Sequence, residues 1–394
     1  MKRTYIYVLL TIISLIALRC KKPYLPDATT TNYNYLVVDG AINSGADSTI
    51  IKLSRTVTLA AKTTTKPELK AIVTVQSDQN NTYNLTETTN GNYVAIGLNL
   101  DNSRKYRLSI KTTNGKTYLS DYVEVKNAPP IDSIGYTMNS DGITVYNNAH
   151  DATNNTRYYR WSYQETWQFQ ANYVSNYMPQ QSTPTSITMV PRTADQQIFT
   201  CWASNSSSTI LLGSTAKLSQ DVIYQNAIIA IPSNSEKIGI KYSIILKQYA
   251  LTTDAYNFWT MLKKNTEDLG SIFDSQPSAI QGNIHNTADA TEPVIGYLSV
   301  GTVQSKRVFI SKSSLPSSWL VAGTTQCSTI DTLYFSNPKS GSNDVKAALE
   351  VIPPLYIAID AVLGGTQIKG YSRTSRLCGD CTLRGVNKQP AFWK

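Results

Sequence analysis

Two Asn-Gly pairs, Asn90-Gly91 and Asn114-Gly115, each sit between short runs that alternate apolar and polar residues. Such a pair between alternating runs signals a tight hairpin, because the turn needs positive φ at both central positions and Asn and Gly tolerate it best. Tyr83–Glu87 leads into Asn90-Gly91 and returns as NYVAIGL; Lys105–Lys111 leads into Asn114-Gly115 and returns through Lys116–Val125. Upstream, LVVDGAI, TIIKLSRTVTL and AIVTVQS carry the same two-residue period. A helix cannot use that period, since its faces repeat every 3.6 residues. Residues 33–127 are therefore expected to form an immunoglobulin-like β-sandwich. Asn127-Ala128-Pro129-Pro130 breaks the pattern and marks a boundary.

Residues 131–394 read as a second, larger β-rich domain carrying one amphipathic helix, so the fold class is mainly β. Two strands surround Asp141-Gly142 within Ile131–Val145. In Arg157–Phe169, alternation puts Tyr158, Arg160, Ser162, Gln164 and Thr166 on one face and Tyr159, Trp161, Tyr163, Glu165 and Trp167 on the other. The aromatic face reads as core. Residues 171–196 and 202–209 are rich in Ser, Thr, Asn and Pro and read as long loops. The helix is expected near 253–269: Thr252-Thr253-Asp254 offers a cap, Ala255, Phe258, Trp259, Leu262 and Leu269 follow its period, and Gly270 is a stop. A last strand region, Leu355–Ile368, precedes the cysteine-containing tail.

The first residues speak of location. Lys2 and Arg3 precede the apolar run Tyr5–Leu18, and Ala17-Leu18-Arg19 leads into Cys20. The run falls short of the about 20 residues a spanning helix needs, and fits the core of a signal peptide. Residues 1–19 are thus expected to be a lipoprotein signal, Cys20 the site of diacylglycerol and palmitate attachment, and 20–32 a polar tether. Ala17 and Arg19 stand where such signals usually place Leu and a small residue. Ordinary cleavage and an uncleaved anchor are the competing readings. The formal charge of +9 includes Lys2, Arg3 and Arg19, and the part from Cys20 onward carries +6 without a basic run longer than two. That excludes a nucleic-acid footprint, which needs a basic stripe interleaved with aromatics.

Four cysteines remain beyond Cys20: Cys201, Cys327, Cys378 and Cys381. An even number in an exported chain points to disulfides, with three connectivities open. Cys378-Gly-Asp-Cys381 has redox or zinc-like spacing but lacks a second close pair, and the chain holds only two histidines, His150 and His285. No metal ligand set, cofactor motif, P-loop, nucleophile elbow or zinc-protease motif is present. No catalytic residue is assigned and no enzyme is expected. Glu165, Asp254, Glu267 and Asp274 are the carboxylates a hydrolase would have to draw on, and any β protein of this size offers as many.

Taken together, LVVDGAI…IKLSRT, RYYRWSYQETWQF, Cys201-Trp202, YSIILKQYALTTDAYNFW, GSIFDSQPSAIQGNI, EPVIGYLSV and CGDCTLRGVNKQPAFW resemble a family of Bacteroidota outer-membrane lipoproteins described as a domain of unknown function, the 4249 family. The resemblance covers nearly the whole mature chain. It implies a lipid-anchored protein of the outer membrane, facing the cell surface, that is the accessory or ligand-binding partner of a TonB-dependent receptor in nutrient uptake. The expected partners are the membrane lipid through Cys20, that receptor, and a glycan or peptide ligand. Aromatic strands and uncharged polar loops suggest a glycan-binding module as the alternative, and a hydrolase is the weakest reading.

Overall fold

The computed structural model describes residues 34–57, 66–184, 186–267, 281–321, 327 and 330–394. The expected signal, Cys20 and the tether lie outside the described residues, as do Leu269, Gly270 and Asp274. Of the described residues about 50% are strand and 11% helix, so the fold is mainly β.

The N-terminal strands do not form two packed sheets. They run Leu36–Asn43, Ser48–Arg55, Ile72–Ser77, Thr82–Glu87, Asn92–Ile96, Lys105–Lys111 and Val123–Lys126, and they close into a barrel. Closure comes from far along the chain. Val300–Gly301 pairs in parallel with Ile42–Asn43 on one side and with Val125–Lys126 on the other, while Val123–Lys126 also pairs with Lys105–Lys111. The immunoglobulin-like sandwich expected for residues 33–127 is therefore replaced by an eight-stranded mixed barrel. Local alternation reports which face of each strand is apolar, but it does not report whether the end strands find each other. The interior is filled by Leu36, Ile42, Ile51, Leu53, Leu108 and Ile110, with Tyr93, Tyr106 and Tyr118. Ile284–Asn286 adds a further strand outside the ring, on Thr117–Ser120.

Both Asn-Gly turns form, by different routes. Asn90 and Gly91 take φ 53° and 74°, as a primed turn requires. At the second turn Gly115 alone is positive, at 83°. Thr112 N–H donates to Lys116 O and Gly115 N–H to Thr112 O, which is a longer loop ending in a glycine bulge.

A sandwich does occur in the second half. Ile131–Asn139, Gly142–Asp151 and Asp221–Pro232 form one sheet. Thr200–Ser206, Leu211–Ser214, Tyr158–Gln170, Lys241–Ala250 and Val303–Ser311 form the other. Between them lie Ile143, Val145 and Ile231 from the first sheet and Tyr159, Trp161, Tyr242, Ile244 and Leu246 from the second. The aromatic face of the Tyr158–Gln170 strand is thus core, as its alternation predicts, with Tyr159 and Trp161 buried. Two stretches expected as loops are partly strand. Tyr177–Thr183 and Ser186–Pro191 pair as a hairpin, and Thr200–Ser206 pairs with the long aromatic strand. Polar composition marks strands that pair at an edge or against a wet face as readily as it marks loops.

The helix runs Thr253–Thr266, with Thr252 as its N-cap accepting from Ala255 N–H at 3.2 Å. Asp254 in the first turn and Lys263 and Lys264 in the last oppose the helix dipole. Beyond the sandwich, Asp331–Tyr334, Gln367–Thr374 and Ile357–Gly364 make a small third sheet, and the chain ends in short helical turns.

The Cys201–Cys381 and Cys327–Cys378 disulfides fasten this last region. The two cysteines of Cys378-Gly-Asp-Cys381 therefore bond to different partners instead of acting as a dithiol. Val386 and Trp202 exchange backbone hydrogen bonds, and Trp393 meets Trp202 and Phe309 edge-on. The C-terminal tail thereby covers one end of the outer face of the five-stranded sheet.

Candidate functional site

The barrel and the sandwich meet where the chain crosses between them twice. Val300–Gly301 belongs to the barrel and Val303–Ser311 to the sandwich, with Thr302 alone between. Thr302 N–H donates to Lys126 O, and Ala128 N–H donates to the Thr302 hydroxyl, so the two crossings are stitched side by side. This seam sets the outer surface of the first two barrel strands opposite the outer face of the five-stranded sheet. A cleft of about 720 Å³ lies between them, a size typical of small-molecule sites.

One wall carries Asp39, Ala41, Asp47 and Ile50 of the barrel. The other is a strand lattice: Arg160 pairs in register with Tyr249, which pairs with Val303, and Ser162 pairs with Lys247, which pairs with Ser305. Trp259 comes from the helix, and Ser207, Ser208 and Thr209 close a third side. Trp161 contributes from the core below, its indole packed close to Gly213, where a Cβ would come within 2.6 Å of the ring. Gly40, at φ 138°, lets the barrel wall pass close: a Cβ there would sit 2.4 Å from the carbonyl oxygen of Ile50.

Arg160 dominates the site. Its guanidinium carbon lies 4.2 Å from the centroid of Trp259 and 4.8 Å from that of Tyr249, a cation against two rings. Burial pushes the guanidinium below its ordinary pKa, opposed by Tyr249 and Asp39. Its side chain has no hydrogen bond or ion pair with any described residue, and the same holds for Lys247.

The carboxylates and histidines named from sequence do not gather here. Glu165 is fully buried on the core face, held by Lys237 Nζ at 2.7 Å and by the Tyr242 hydroxyl at 2.8 Å. Asp254 serves the helix N-terminus, and Glu267 accepts from Ile210 N–H at 2.6 Å. His150 pairs with Asp132 at 2.8 Å and His285 approaches Asp121 at 3.7 Å, on different sheets. Among the described residues no three His, Cys, Asp or Glu side chains gather in metal-ligand range.

The sequence matches the family described as Domain of unknown function (DUF4249) over residues 21–307. The chain belongs to that family. The match takes in the barrel and nearly all of the sandwich, and it includes every residue named above as lining the cleft. It stops ahead of Cys327, Cys378 and Cys381. A search of curated proteins finds no match.

Sequence reasoning passed over Arg160 and Lys247. Alternation puts Arg160 on the polar face of the aromatic strand, and residues 202–209, read there as a long loop, include three cleft residues. A cation set between aromatic residues of a strand is the available signal, because burying such a group needs a compensating partner.

Proposed function

We propose that this DUF4249 chain is a non-catalytic binding protein, lipid-anchored to the outer membrane through Cys20, that hands a nutrient to a TonB-dependent receptor or helps admit it. The observation that carries the reading is the cleft at the seam between barrel and sandwich, which joins aromatic rings, a hydroxyl rim and two cations that make no hydrogen bond or ion pair with a described residue, in a volume of about 720 Å³. Pockets of that make-up bind small polar ligands. The lipid anchor is supported by the basic, apolar and cysteine succession at the N-terminus, and the receptor partnership by what the family resemblance implies. Affinity capture of the tagged full-length protein from its own membrane tests the partnership. A co-purifying outer-membrane receptor supports it, and a protein that runs alone while the receptor runs elsewhere overturns it. Radiolabelled palmitate incorporated by the wild type and lost in Cys20→Ser tests the anchor.

The hydroxyl rim favours glycan binding as the second reading. Ser162, Ser207, Ser208, Thr209 and Ser305 offer both donors and acceptors, which suits a polyhydroxyl ligand. The two readings are compatible, since a glycan can be the nutrient. A hydrolase draws the least support: Glu165 is sealed in an ion pair away from the cleft.

A further inference from the structure

We infer that the cleft takes a saccharide bearing an oxyanion, a carboxylate or a sulfate, with Arg160 and Lys247 as the anion subsite. This deepens the binding reading above and rests on it.

Three observations converge. First, the two cations are diagonal neighbours on one sheet face, because Arg160 lies opposite Tyr249 and Lys247 is two residues along the same strand. Diagonal partners of this kind sit about 7–8 Å apart, so one oxyanion can lie between them. Second, neither side chain makes a hydrogen bond or ion pair with a described residue, and Asp39 acts on the Arg160 guanidinium only through space. Third, Arg160 is held ready. Trp259 and Tyr249 lie 4.2 and 4.8 Å from the guanidinium carbon, and its N–H groups have no hydrogen-bond partner among the described residues. A planar guanidinium with N–H groups free of described partners is suited to a two-oxygen acceptor.

The remaining groups settle what the anion is attached to. A bare phosphate or acetate would leave the barrel wall unused and would face Asp39 and Asp47 at no advantage. A sugar acid divides its chemistry as the cleft does. The oxyanion goes to Arg160 and Lys247, and the ring hydroxyls donate to the carboxylates of Asp39 and Asp47 and exchange hydrogen bonds with Ser207 and Thr209.

The test is titration calorimetry of the full mature chain with trigalacturonate, a sulfated galactose trimer and the neutral galactose trimer. The expected result is at least tenfold tighter binding of one acidic trimer than of the neutral one, with the preferred acid identifying the oxyanion. Arg160→Gln and Lys247→Gln should each bring that ratio close to one. Lys247 is exposed, so its variant remains informative should the Arg160 variant misfold. Equal affinity for all three trimers, or a preference that survives both substitutions, overturns the anion subsite and leaves the binding reading intact. If no trimer binds, the saccharide assignment and the glycan reading fall together, while capture of the receptor is decided separately.

Discussion

The guanidinium of Arg160 lies 4.2 Å from the ring centroid of Trp259, so a strand of the sandwich and a helix outside it are joined through a cation and an indole. Cation–ring contacts with restricted water are worth about 1–2 kcal/mol. Trp259→Ala removes the contact and the ring's packing, and is expected to lower unfolding free energy by about 1–3 kcal/mol. Trp259→Phe, which keeps a ring face, should recover most of the loss. Urea denaturation of the three proteins reads the order directly.

A second expectation concerns Glu165. Its side chain is 1% exposed, and Lys237, 25% exposed, supplies the opposing charge. Lys237→Met would leave a buried carboxylate with only the Tyr242 hydroxyl for support. The expected cost is about 3–5 kcal/mol, the range for breaking one side of a buried pair. Glu165→Leu combined with Lys237→Met should cost clearly less than Lys237→Met alone, since no charge then remains inside. Denaturant midpoints of the single and double variants check this.

Asp151 predicts a pH dependence. Burial would raise its pKa, but hydrogen bonds from the Thr153 hydroxyl and N–H and from Thr156 outweigh it and hold the carboxyl at about 2, below the ordinary 3.8. A carboxylate depressed in the folded state contributes stability that is full above its unfolded pKa and is lost as pH falls toward the folded one. The loss attributable to Asp151 should therefore occur between about pH 4 and pH 2. Asp151→Asn should be less stable than wild type at pH 6, and the gap should narrow across that acid window. Urea midpoints measured from pH 6 downward decide it.

The Cys201–Cys381 bond closes a loop of 180 residues. Cross-links of long loops typically contribute about 2–5 kcal/mol by restricting the unfolded chain. Replacing both cysteines by Ala should cost an amount in that range and loosen the tail. Trp393 would then leave Trp202 and Phe309, so near-ultraviolet circular dichroism should weaken and proteolysis should begin near the C-terminus. A tail that resists protease as well as wild type would contradict this.

Much of the fold was legible locally. Alternation placed Tyr159 and Trp161 inward and Arg160 and Ser162 outward, and the cap at Thr252 started the helix where the sequence says. These signals arise within a few residues of where they act. Barrel closure does not: two residues, Val300 and Gly301, give too short a run to show a period, and their partners Ile42 and Val125 lie far upstream. The cleft escaped for the same reason. Asp39, Arg160, Lys247 and Trp259 are unremarkable one at a time, and only the seam brings them together. Disulfide partners were equally silent, because the cysteine count gives an even number but not the pairing.

The closing strand has a further consequence, for the newborn chain. Ile42 and Val300 are neighbours in space but about 260 residues apart in sequence, and a ribosome delivers them in that order. Until Val294–Ile295 and Val300–Gly301 emerge to pair with it, Leu36–Asn43 presents an unpaired edge, the kind of surface that recruits other chains. Long-range parallel pairing is also slow to form. Truncation anywhere before residue 300 would therefore yield an open-sided sheet prone to self-association, and a helper that shields exposed strands during synthesis would raise the yield of the intact protein.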